Sequence, residues 1–360
     1  MLRAPSATAG SIRPRDSLRR PARPRLLDSG ALGALTLASI PCAVIPILGF
    51  LWLMWWLDRY DREPLWLFLG VFLWGAVGAI ILAVIGSGVL SVPIAAIAAQ
   101  DVQASLTMTF VAPLAEEPSK ALILFLVARS RHFDNVTDGF VYGAAAGLGF
   151  GMSENLMYFV NVASTGDPMA WAATVVIRTL YSALMHGAAT SLVGAAIGLA
   201  QFRRGIARPA LLTAGFAGAI AMHALWNGLL ALADAGAPLL GVLDMLLFPL
   251  QFGVLVLIFQ AVLLAEHKMI LRELTLEADE GHIPRSHVPF LSSYLKRTRR
   301  GWLPPGIDHH EYVRLATTLA LRREQRDRGT EQTFSQQEIV RIRAEIATLL
   351  GDWKGAGVGA

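Results

Sequence analysis

Residues 110–128 read F-V-A-P-L-A-E-E-P-S-K-A-L-I-L-F-L-V-A, and after a short polar loop a glycine-rich apolar run closes on G-F-G-M-S-E-N (149–155). Glu116, Glu117, Glu154 and Lys120 thus lie inside segments otherwise apolar enough to cross a membrane. A charge at mid-bilayer costs about 2.5–3.5 kcal/mol on insertion scales, so such residues are functional candidates by default. His186 and His223 sit inside the next two apolar runs. The stretch sets two expectations: an all-α polytopic membrane protein, and water-activating chemistry among its helices.

Working outward, 54% of the 360 residues are hydrophobic, only 16% are charged, and the mean hydropathy is +0.50. Apolar runs of about 20 residues or more recur, as in multi-pass helical membrane proteins. The net charge of +4 is concentrated in the first 25 residues, a few short loops and the tail after Glu266. That placement fits anionic lipid and membrane topology rather than nucleic acid. The single Cys42 rules out an intrachain disulfide and a cysteine metal cage.

Residues 1–30, rich in Arg, Pro, Ser and Ala, are expected to be disordered. The run 31–57 is too long for a signal-peptide core and reads as a first span bent by Pro41 and Pro46. Further spans are expected at about 65–90, 104–128, 139–161, 171–202, 209–233 and 238–265, giving seven transmembrane helices in a domain over 31–265. Pro113 and Pro118 are expected to break regular hydrogen bonding beside the charged motif. Gly139, Gly143, Gly147 and Gly151 recur every four residues and line one helix face, near which Glu154 projects. The soluble tail, 266–360, carries two expected helices, at about 309–327 behind an Asp308 cap and at about 336–350 behind a Ser335/Glu338 capping box. With seven spans, the basic loops 58–64, 128–138 and 202–208 share one side with the tail, and the opposite loops carry no Lys or Arg. This places loops and tail in the cytoplasm, although the Arg-rich N-terminus argues the other way.

Counted from the non-cytoplasmic ends at 1.5 Å per residue, Glu154, His223, Glu116 and His186 lie at depths of about 11, 15, 18 and 22 Å, compatible with one layer. A self-neutralising Glu116–Lys120 pair would account for one carboxylate and the ammonium. It leaves a second Glu, a third on the next span and two histidines unexplained. A non-enzyme, a seven-helix transporter or sensor with proton-relay carboxylates, is the competing class, but the related halves common in transporters are not evident.

Four ordered motifs carry a resemblance: E-E-P-S-K (116–120) fits E-E-x-x-K, F-G-M-S-E-N (150–155) fits F-x-x-x-E-N, and H-G-A-A-T (186–190) and H-A-L-W-N (223–227) match two His motifs. D-R-Y-D-R-E-P (58–64) is similar to an acidic loop after a first span. Over about residues 40–265 the chain resembles the PrsW intramembrane proteases, within the wider group of CAAX-type and bacteriocin-processing membrane proteases. The resemblance implies hydrolysis of a peptide bond in a membrane-anchored protein, typically an anti-sigma factor, in regulated proteolysis at the cell membrane. Glu116, Glu117, Glu154, His186 and His223 are the expected catalytic residues, supported by Lys120, Asn155 and Asn227. Two mechanisms stay open. One is a glutamate-activated water; the other is a divalent metal such as zinc, with Glu154, His186 and His223 as candidate ligands. Asn227 is a candidate donor to a developing oxyanion.

Overall fold

The computed structural model describes residues 29–351, except 59, 61–62, 131, 134, 202, 300 and 328–331. Of the segment expected to be disordered, only Ser29 and Gly30 are among the described residues, and they open the first helix. No strand occurs among the described residues. The helices are α1 (Ser29–Leu57), α2 (Leu65–Ile97), α3 (100–127), α4 (Val136–Ala163), α5 (Pro168–Gln201), α6 (Ala207–Asp234) and α7 (Pro238–Asp279). The tail adds α8 (His309–Asp327) and α9 (Gln332–Leu350).

The long helices follow the expected apolar runs in order, but only five of them (α1, α2, α5, α6 and α7) are long and apolar enough to cross a membrane. Seven crossings are therefore not established by length and composition. The two others differ for physical reasons. Glu116, Glu117 and Lys120 interrupt α3, while α4 is built of glycine and alanine and is buried almost continuously from Thr137 to Gly151. A helix walled in by protein needs small residues more than lipophilic ones.

α4 is the axis of the bundle. A Cβ on Gly143 would come within 2.5 Å of the Thr190 carbonyl oxygen of α5, and one on Gly151 within 3.0 Å of Ala183. Gly139 and Gly147 meet the Gly194 and His186 carbonyls in the same way. On its other side Gly149 faces the Phe72 carbonyl of α2. The glycine ladder is a packing face, as its spacing implies. α4 opens with a capping box between Asn135 and Asp138.

Three π-helical segments interrupt the α-helices: Trp74–Ala79 in α2, Thr107–Val111 in α3 and Arg178–Ser182 in α5. The second has a cause in the sequence. Ala112 N–H bonds back five residues to Thr107, so the next carbonyl, Met108, would need the N–H that Pro113 lacks. Pro118, by contrast, lies inside an unbroken α-helical stretch.

α7 continues without a break from the membrane run into the tail, passing residue 266. Ile270 and Leu274 on its far end join Leu291, Tyr312, Leu319, Ile342 and Ile346 in a second core. Tyr60 packs against both cores, and Arg297 donates to its carbonyl at 3.1 Å. Asp308 caps α8 by accepting from Glu311 N–H at 3.0 Å. α9 begins at Gln332, so Ser335 lies inside the helix and the expected Ser335/Glu338 box does not start it. The helical pattern ran further back than the capping signal.

Candidate active site

α3, α4, α5 and α6 bring the isolated charges of the sequence into one connected cluster. Lys120, fully buried, donates to Glu117 Oε1 at 2.8 Å and to Glu116 Oε2 at 3.3 Å. Its third contact is His186 Nδ1, at 2.9 Å. An ammonium has donors only, so His186 Nδ1 must accept and the ring proton must sit on Nε2. That Nε2 lies 2.6 Å from Glu154 Oε2, which also accepts from Arg178 Nη2 at 2.6 Å. His223 Nδ1 is 2.8 Å from Glu117 Oε1, and its Nε2 faces Glu116 Oε2 at 3.8 Å. The two imidazoles stand edge to face, 4.8 Å apart.

The carboxylates are not equivalent. Glu117 is fully buried and saturated, with Lys120, His223 and the Thr190 hydroxyl (3.2 Å) on its oxygens. Glu116 and Glu154 keep 12% and 18% of their side-chain surface accessible, and Arg178 keeps 13%. Glu116 and Glu154 are therefore the carboxylates reachable from outside the cluster, while Glu117 is bonded to Lys120 and His223 within it. Three carboxylates stand against two fixed cations, which leaves a formal excess of one negative charge.

Side chains from neighbouring helices satisfy carbonyls at all three π segments. Asn227 Nδ2 donates to Met108 at 2.9 Å, supplying the bond that Pro113 cannot. Asn155 Nδ2 donates to Arg178 at 3.2 Å, and Ser153 Oγ to Ala76 at 2.6 Å. Glu154 thus lies between two residues that tie α4 to the irregular turns of α5 and α2. The Asn227 amide, expected as an oxyanion donor, is engaged on this backbone carbonyl.

Comparison with known proteins bears on the same helices. A family model described as PrsW family intramembrane metalloprotease matches residues 63–264. The chain belongs to the PrsW family. It is 35% identical over 118 residues to Protease PrsW of Clostridioides difficile (strain 630), covering 32% of this chain and 48% of that protein. The chain thus spans about half the length of this curated relative. No solved structure matches. With its five apolar helices, the chain is a multi-pass membrane protein.

The PrsW family description implies a metal, and the donor set can be tested for it. Glu116, His186 and His223 each offer a ligand atom, all within 4.8 Å of one another. Two imidazoles and one carboxylate form a set used at catalytic zinc, and the excess negative charge suits a divalent cation. His223 has the supporting arrangement as well, with Nδ1 held by Glu117 and Nε2 left facing Glu116. His186 engages both ring nitrogens, so to ligate it would exchange its contact with Lys120 or Glu154. The residues fit a metal through Glu116 and His223 directly, and through His186 after that exchange.

All five residues expected to be catalytic, and Lys120, lie in this cluster; Asn155 and Asn227 lie at its edges. The candidate ligand trio of Glu154, His186 and His223 differs from the mutually close set, which has Glu116 in place of Glu154. Sequence reading missed the part of Arg178, because one arginine near a span end looks like an interfacial anchor. Thr190 closes the quoted H-G-A-A-T run, but its contact with Glu117 on another helix is not something spacing gives.

Proposed function

We propose that the chain is an intramembrane endopeptidase that cuts a membrane-anchored protein, of the anti-sigma-factor class, at a bond brought laterally to Glu116. One observation carries this: Glu116 is partly accessible and the least bonded carboxylate of the cluster, beside a buried ammonium and two imidazoles. Glu116 takes a proton from water as the oxygen attacks the peptide carbonyl, and delivers it to the leaving amine nitrogen as the C–N bond breaks. The positive field of Lys120 stabilises the oxyanion, with Glu117 and Thr190 holding that cation and His223 in position. A divalent metal, when bound by Glu116, His186 and His223, would polarise the peptide carbonyl and acidify water.

Around this site, all of α1–α7 cross the bilayer, within a protease domain over 31–265, and the tail over 266–360 lies in the cytoplasm. The lysine- and arginine-free loops opposite the tail support that orientation. Comparing membrane-protein fragments from cells carrying wild-type or Glu116→Gln protein tests the reading. A fragment pair present only with the wild type is expected, and identical profiles would sink it. Chelation followed by zinc add-back, on protein in detergent, separates the mechanisms: loss with rescue assigns the metal, and indifference assigns water activation to Glu116 alone.

A further inference from the structure

The reaction scheme above leaves the Arg178 guanidinium without a task. We infer that Arg178 is a positioning residue, which holds the Glu154 carboxylate on the Nε2 proton of His186 and so fixes the orientation of that ring, whose tautomer Lys120 sets from the other side. The inference rests on the peptidase reading for its kinetic consequence, though not for its geometry.

Arg178 is clamped along one face of α4. Nη2 donates to Glu154 at 2.6 Å, Nε donates to Asn155 Oδ1 at 3.1 Å, and the guanidinium lies 3.6 Å over the Tyr158 ring. A planar fork held at two edges and one face has little freedom left. The oxygen it reaches, Glu154 Oε2, is the one facing His186 Nε2. With Lys120 on Nδ1, the imidazole is bracketed by cation, ring and carboxylate, and the carboxylate by a second cation. Without Arg178, the Glu154 carboxylate would rotate to the accessible side, and the His186 proton would lose its acceptor.

The backbone is built for this convergence. Arg178 and His186 are eight residues apart on α5. In an unbroken α-helix their side chains would point about 80° apart. The π segment Arg178–Ser182 lies between them and takes up about one extra residue, which reduces the offset to about 20°. Its first carbonyl, Arg178, is the one that Asn155 holds. The irregular turn therefore turns Arg178 and His186 towards one carboxylate.

The test uses the full chain in nanodiscs with a membrane-anchored peptide that the wild type cleaves. Arg178→Gly is expected to lower kcat about 10- to 100-fold with little change in KM, as for loss of a supporting contact around a ligating or catalytic histidine. Added guanidinium should restore much of the loss, while sodium chloride at equal ionic strength should not. Arg178→Gln in a Glu154→Gln background should cost nothing further. Wild-type kcat in Arg178→Gly, or a loss that guanidinium leaves untouched, overturns the inference. A second readout needs no turnover and survives failure of the peptidase reading: histidine 15N shifts. The His186 Nε2 shift of a ring hydrogen-bonded to Glu154 is expected in the wild type; it should move towards that of an unbonded Nε2–H in Arg178→Gln and be kept in Arg178→Lys. An Nε2 shift unchanged in Arg178→Gln also overturns it.

Discussion

The chain holds two clusters of carboxylates and cations, one among the membrane helices and one in the tail, and they are built from different residues. In the tail, Arg323 donates to Glu273, Glu277 and Glu280, and Arg343 to Glu277 and Glu280. Arg272 joins Glu273 to Glu324. Guanidinium forks carry a charge they do not give up at ordinary pH, so each carboxylate there faces a permanent cation. The network fastens α7 to α8 and α9. Among α3–α6 the partners are one lysine, one arginine and two imidazoles. Imidazole can lose, gain or relocate a proton. Glu277, Glu280 and His282 also group closely enough to resemble a metal site, yet Arg323 and Arg343 occupy those carboxylates. Proximity of acids alone therefore does not mark a reactive centre; the identity of the cation does.

The largest expected effect separates the clusters. Glu116→Gln should lower cleavage about 10²- to 10⁴-fold at an unchanged membrane level, as for a lost general base. Arg343→Gln should cleave at the wild-type rate. Equal cleavage by both variants in a substrate assay would erase the distinction.

The next effect belongs to the tail. Arg323→Met removes one guanidinium from the buried Glu273 and Glu277, which keep Arg272 and Arg343, a loss of about 1.5–3 kcal/mol as for a hydrogen bond to a charged group. Limited proteolysis should find the tail opened while the membrane helices remain protected. Unchanged resistance would mean that the network contributes little.

How much of this was legible follows from what each signal reports. E-E-P-S-K and the two His motifs pointed to the charged cluster because charges in apolar runs stand out against their surroundings. The glycine ladder read correctly as a packing face, since spacing of four is helix geometry. The π segments were hidden, because apart from Pro113 no residue type announces them; they emerge from packing. Ser153 and Thr190 lie inside the quoted motifs F-G-M-S-E-N and H-G-A-A-T, but the partner of each on another helix was not readable from them. The tail network was hidden too, since the partners of Arg323 lie 43 to 50 residues away. The start of α9 went wrong for the opposite reason: a good capping pattern was present and unused.

Packing offers a smaller test. Gly147→Leu places a side chain against the His186 carbonyl, where overpacking costs about 1–3 kcal/mol. Reduced thermal stability and reduced cleavage together are expected, because the same backbone contact carries His186. Cleavage at the wild-type rate would detach the ladder from the site.

The smallest effect is one of pH and lies in the tail. Burial holds the His287 imidazole below its ordinary value of 6.5, with Tyr312 OH 3.0 Å from Nδ1. A lowered histidine stabilises the fold fully above its unfolded value, and that contribution is lost as pH falls through the folded one. Glu280, held below its ordinary value of 4.5 chiefly by the Arg323 hydrogen bond, acts in the same direction at lower pH. Thermal melts of the tail should decline from about pH 6.5 downward, and His287→Phe should flatten the upper part of that decline. A melt independent of pH above 4.5 would remove His287 from the account.

One feature of α7 has a mechanical consequence. Between Gly253 and Gly281 the chain contains neither glycine nor proline, and α7 is helical without interruption as far as Asp279. That length, about 39 Å for some 26 residues, behaves as a stiff lever fixed at one end in the tail. Its residues of least bending resistance are Pro249 and Gly253, next to Phe248, whose ring lies 5.8 Å from Trp226, one turn along α6 from His223. A load applied to the tail is carried along the lever and would bend α7 at that pivot, against the helix that carries the imidazole.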